Sequence, residues 1–130
     1  MSNLNFSSLI EAKYMIISNN KGLENINFGS LKTCTNLDLS YNNYLLNIDS
    51  LSSLETCSNI DITDNPRLEN LNGLVNLKQV EGTIRIVRNN SLRNFCGLTL
   101  LASLYPTEFV IVNNYYNPTK DDIKNGNCSN

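Results

Sequence analysis

The 130-residue sequence contains neither histidine nor tryptophan. It therefore lacks the side chain that most often shuttles protons and binds metals near neutral pH. Its four cysteines form no Cys-x-x-Cys pair, which removes the usual ligand spacing of a structural zinc site. No apolar run approaches the roughly 18 residues that a membrane-crossing helix needs. The net charge of −2 leaves no basic footprint for nucleic acid. There is no glycine-rich phosphate loop, and no nucleophile stands beside a base in a catalytic motif. The segment from Met1 to Asn20 has neither the basic start nor the continuous apolar stretch of a secretory signal.

What the chain does have is a repeat. Between Ile60 and Val80, Ile60 and Ile62 alternate with Asp61 and Thr63, the period of a half-buried strand. After Asn65 the period becomes three, through Leu68, Leu71, Leu74, Leu77 and Val80. A strict period of three suits neither a strand nor an α-helix, but it suits a chain that turns corners through tight or 3₁₀-like bends. Asparagines at Asn20, Asn42, Asn65, Asn89 and Asn114 mark the same point in five registers, 22 to 25 residues apart. Self-similarity at this period predicts stacked repeats. The inward strand pairs are Met15/Ile17, Leu37/Leu39, Ile60/Ile62, Ile84/Ile86 and Phe109/Ile111.

The predicted fold class is accordingly a β-rich solenoid. It would be a right-handed single-stranded β-helix of about five coils of 22–25 residues, with one parallel sheet and a short C-terminal capping helix. It would form one domain over residues 1–130, with repeats over 1–114 and a cap over 115–130. Thr119-Lys120-Asp121-Asp122 reads as a capping box that starts the capping helix. Asn5-Phe6-Ser7-Ser8-Leu9 matches Asn27-Phe28-Gly29-Ser30-Leu31 one period later. The chain then starts in mid-coil, as the C-terminal part of a longer array would. The asparagine column is structural: stacked amides can satisfy backbone groups that the turns leave unpaired.

Cys34 and Cys57 are one repeat apart and share a column with Ala12 and Val80. They read as buried thiols used as small apolar groups, although a bridge between neighbouring coils is geometrically open to them. Cys96 opens the last coil and Cys128 follows the capping helix. A Cys96–Cys128 disulfide would staple the cap to the repeats and would imply an oxidising compartment.

The outward strand positions carry the candidate binding residues. One column runs Ile16, Asp38, Asp61, Arg85, Val110; the next Ser18, Ser40, Thr63, Val87, Val112; beside them lie Asn19, Tyr41, Asp64, Arg88 and Asn113. Stacking sets Asp61 near Arg85 and Asp64 near Arg88. The ordinary reading is a pair of exposed ladder ion pairs, each worth about 0–1 kcal/mol. The functional reading is a polar patch formed by Asp38, Tyr41, Asp61, Asp64, Arg85 and Arg88, able to bind a ligand. Asp38 and Asp61 are like-charged neighbours, but a flat sheet offers them no cleft and no further oxygen ligands. No catalytic residue, metal or cofactor is assigned.

The motif I/L-x-I/L-x-x-N-x-x-L-x-x-L, seen from Leu37 to Ile48, Ile60 to Leu71 and Ile84 to Phe95, resembles receptor L-domain and leucine-rich-like repeats. Phe95-Cys96-Gly97-Leu98, Asn117-Pro118-Thr119 and Gly126-Asn127-Cys128 are similar to the C-terminal cap of bacterial surface proteins that carry such repeats. The resemblance implies secretion or surface display, and binding of protein or carbohydrate rather than catalysis. The expectation is a non-enzymatic recognition or adhesion module acting through its strand face. The alternative is a structural module that stacks through its N-terminal edge on neighbouring repeats or chains. Neither nucleic acid nor a membrane span enters the expectation.

Overall fold

The computed structural model describes residues 2–104 and 106–130. Met1, the first residue of the N-terminal edge, lies outside them. Eight strands are found among the described residues. β1 (Asn3–Asn5) and β3 (Asn25–Asn27) form a small parallel sheet. β2 (Glu11–Ile16), β4 (Thr33–Asp38), β5 (Thr56–Thr63), β7 (Thr83–Val87) and β8 (Glu108–Val112) form a larger parallel sheet in chain order, and β6 (Gln79–Val80) pairs with β5. Met15, Leu37, Ile60, Ile84 and Phe109 are successive register partners. The inward pairs read from the alternation therefore stack in one column.

The fold class read from the sequence is corrected. Parallel strands are divided between two sheets, not gathered in one. Helical segments occupy the connections: 3₁₀ turns over Asp49–Ser53, Asn72–Leu74 and Cys96–Leu98, then α1 (Thr99–Leu104) and α2 (Lys120–Lys124). Parallel strands with short helices in the crossovers are compatible with the α/β class.

The physical reason lies in a second set of asparagines. In the early repeats the side-chain oxygens of Asn5 and Asn27, the last residues of β1 and β3, accept from the backbone two residues on, so the chain bends only after each strand has run extended. In later repeats the side-chain oxygens of Asn47, Asn70 and Asn94 accept from the backbone two residues on. That local bond bends the chain out of the extended form and starts each 3₁₀ turn. The last connection is the longest, and its Leu- and Ala-rich run continues into α1, as helix propensity favours.

The core is the set of period-three leucines together with the inward strand residues. Leu45, Ile48, Leu51, Leu54, Leu68, Leu71, Leu74 and Leu77 are all fully buried. The 3₁₀ turns of adjacent repeats stack so closely that a Cβ on Gly73 would lie 1.8 Å from the Ile48 carbonyl oxygen. Gly97 meets Leu71 in the same way. Ser50 takes the corresponding place one repeat earlier, and its hydroxyl donates to the Ile26 carbonyl at 2.8 Å.

At the C-terminal end, Thr119 caps α2. Its hydroxyl accepts from the Asp122 N–H, and the Asp122 carboxylate accepts from the Thr119 N–H. The Thr119 hydroxyl, which donates to the Asp122 carboxylate at 2.6 Å, and the Thr119 N–H together hold the Asp122 carboxyl below the usual range. Ile123 is buried against the core, and the Cys96–Cys128 disulfide is formed. Phe95 N–H donates to the Cys128 carbonyl at 2.7 Å, so the closing segment is tied to the last repeat by backbone as well as sulfur.

Candidate functional site

The strand ends are fixed by the first asparagine column. Asn42, Asn65 and Asn89 are fully buried, and Asn114 nearly so. Each side-chain oxygen accepts from the backbone N–H of the column asparagine one repeat earlier: Asn42 from Asn20 at 3.1 Å, Asn65 from Asn42 at 3.1 Å, Asn89 from Asn65 at 3.0 Å and Asn114 from Asn89 at 3.0 Å. Each side-chain N–H donates to a strand-end carbonyl of that earlier repeat: Ile17, Leu39, Ile62 and Ile86, at 2.7–2.9 Å. Asn117 ends the series by accepting from Asn114 N–H at 2.9 Å. The sequence reading did not include Asn117 in the column, because it stands three residues away and not one period away.

Directly before each column asparagine the backbone is left-handed. Asn19, Tyr41, Asp64, Arg88 and Asn113 have φ between 55° and 59°. Asparagine and aspartate tolerate this region; for Tyr41 and Arg88 it costs of order 1–2 kcal/mol each. The left-handed residue lets the chain leave the strand and aim the next amide inward. The sequence carries a signal for it, since three of the five positions are Asn or Asp.

On this frame the six candidate residues form two rows. In the first, Asp38, Asp61 and Arg85 are successive register partners. Asp38 accepts from the Ser40 hydroxyl and, at 2.9 Å, from the Ser40 N–H; Asp61 accepts from the Thr63 hydroxyl. Arg85 approaches Asp61 at 3.7 Å. In the second row Arg88 grips Asp64 with two bonds, Nε–Oδ1 at 2.8 Å and Nη2–Oδ2 at 2.5 Å. This grip holds the Asp64 carboxyl below its ordinary range and raises Arg88, to which Tyr41 adds a smaller contribution. Tyr41 stands at the end of the row, half exposed.

Between the rows the structure departs from the expected outward column. Ser40, Thr63 and Val87 are buried, and the Asp38 and Asp61 carboxylates fold over the hydroxyls of the first two. The accessible surface is therefore the pair of rows, not the whole outward face. Beside the first row lies a shallow depression of about 280 Å³ bordered by Asn36, Asp38, Asn59, Asp61, Thr83 and Arg85. Asn59 donates to Asn36 at 3.1 Å and accepts from Thr83 N–H at 3.2 Å. Sequence reasoning missed Asn36 and Asn59, although they are one repeat apart.

No helix among the described residues is long and apolar enough to cross a membrane. The Cys96–Cys128 disulfide is compatible with an extracellular protein. Neither a protein-family model, nor a curated protein, nor a solved structure matches this chain.

Proposed function

We propose that this chain is a non-enzymatic recognition module that binds a protein or carbohydrate partner through the two charged rows of its strand face. The observation that carries the reading is the depression between Asn36, Asn59, Asp38, Asp61 and Arg85. There, amide, carboxylate and guanidinium side chains border a mostly apolar depression on a sheet whose strand ends are bonded repeat to repeat. Such a surface offers fixed donors and acceptors with little ordering to lose on binding. Arg88, Asp64 and Tyr41 extend it, and tyrosine and arginine are the side chains most enriched among binding hot spots. The resemblance to bacterial surface repeats and the disulfide support a cell-surface action in this reading.

The test is a screen of glycans and of surface proteins against the wild type and a triple variant, Asp61→Ala, Arg85→Ala and Arg88→Ala. Partners that bind the wild type and lose the variant, with the circular dichroism unchanged, support the reading. Partners that bind both equally overturn it. A second reading rests on β2, which is the edge of the larger sheet and presents exposed Tyr14 and Ile16, with exposed Ile10 just before it. Its occupant would be a second copy of this chain, paired along that edge. Sedimentation velocity showing a monomer at all concentrations would remove it.

A further inference from the structure

Cys34 on β4 and Cys57 on β5 are register partners in the column Ala12, Cys34, Cys57, Val80. Both thiols are unbridged and buried. Each donates to a carbonyl two residues on, Asn36 and Asn59, at 3.1 Å. Both also line a depression of about 270 Å³ whose rim includes Glu11, Glu81, Thr35 and Ser58. The sulfurs are thus backed by the core and faced by an opening with two carboxylates on its rim.

Parallel register partners carry their Cβ atoms side by side, at the strand spacing of about 4.8 Å. A disulfide prefers Cβ atoms about 3.8 Å apart, so a covalent bridge would require the strands to close up. Two metal–thiolate bonds of about 2.3 Å each, set in line, span about 4.6 Å, which fits the spacing without movement. Among the described residues no group of three or more His, Cys, Asp or Glu side chains is placed to hold a metal ion. The four ligands that zinc requires are therefore not gathered here. A soft cation satisfied by two thiolates is the remaining fit, and thiolate ligands select monovalent copper among the physiological ions.

We propose that Cys34 and Cys57 form a two-sulfur site for a soft monovalent d¹⁰ cation, Cu(I) or its redox-inert analogue Ag(I). The cation enters through the depression, two S–H bonds break, two S–metal bonds form and two protons leave. The charge on the pair goes from zero to −1, with no electron transferred.

The experiment is titration of the disulfide-intact protein with Ag(I), followed by native mass spectrometry and by proton release in weakly buffered solution. The expected result is one Ag(I) per chain and two protons released. Cys34→Ala and Cys57→Val install side chains that the same column already carries at Ala12 and Val80. Each variant should keep its circular dichroism and lose affinity by more than about tenfold, beyond the least that second-shell changes cost. No uptake by the wild type, release of a single proton, or undiminished binding in either folded variant would overturn the proposal.

Discussion

Replacing Asn65 by alanine strikes the asparagine column at its centre. The side chain is fully buried, accepts from Asn42 N–H at 3.1 Å, and donates to the Leu39 carbonyl at 2.7 Å and the Thr63 carbonyl at 3.3 Å. The Thr63 carbonyl also accepts from Tyr41 N–H at 2.9 Å, so it keeps a partner. The Asn42 N–H and the Leu39 carbonyl lose theirs. Leaving a buried backbone group unsatisfied costs about 1–3 kcal/mol, so the substitution should cost about 2–6 kcal/mol. That is a large fraction of the roughly 5–15 kcal/mol that stabilises a typical domain. With a urea m value of about 1–3 kcal/mol/M, the unfolding midpoint should fall by at least about 0.7 M. Asn20→Ala is the control. Its side chain is exposed and makes bonds of 3.2 and 3.3 Å to the Ser18 carbonyl and Asn42 Oδ1, so it should cost less than about 1 kcal/mol. Asn65→Asp adds a pH signature. The carboxyl can reach the Leu39 carbonyl as a donor only when protonated, so its folded pKa must lie above the unfolded value. The variant should then be relatively more stable below about pH 4 and lose that advantage as pH rises. Equal, small midpoint shifts for Asn65→Ala and Asn20→Ala would refute the reasoning.

Three further outcomes follow from the packing and charges. Gly73→Ala forces a Cβ to within 1.8 Å of the Ile48 carbonyl oxygen and should cost about 1–3 kcal/mol as overpacking does, measured by thermal unfolding. Asp64→Asn keeps a residue tolerant of positive φ but removes the carboxylate whose pKa Arg88 depresses. The wild type should exceed this variant by at most about 1 kcal/mol above pH 4, with the difference lost as pH falls through the depressed value in urea titrations. Reducing Cys96–Cys128, whose residues are 32 apart, should destabilise by roughly 3–4 kcal/mol on the chain-entropy account, read as a lower urea midpoint under reductant.

The strand positions were legible because side-chain alternation and the asparagine spacing are local properties of the sequence. Once Ile60 is aligned with Leu37 and Ile84, register follows. The division into two sheets was not legible. It depends on whether the local side-chain bond falls after the strand, at Asn5 and Asn27, or two positions earlier in the repeat, at Asn47, Asn70 and Asn94, and both choices use the same residue type. The burial of Ser40, Thr63 and Val87 was hidden for a similar reason. Alternation assigns them outward, and only the carboxylates two residues earlier cover the two hydroxyls. The left-handed backbone at Tyr41 and Arg88 was concealed by side chains that seldom adopt it. The candidate face was read correctly as a set of neighbours, Asp61 with Arg85 and Asp64 with Arg88, but its depression depends on Asn36 and Asn59, which carry no charge to draw notice.

The asparagine column has a direction. In the buried column each side-chain oxygen serves the backbone N–H, and each side-chain N–H the strand-end carbonyl, of the repeat before it. A growing polypeptide presents its N-terminal portion first, so every repeat leaves the ribosome with its strand end unfinished and waits for the next one to close it. Synthesis and closure then run the same way along the chain, like a zip drawn from one end. Asn117, which turns back within its own loop to serve Asn114, is the stop at which the slider no longer needs a further tooth.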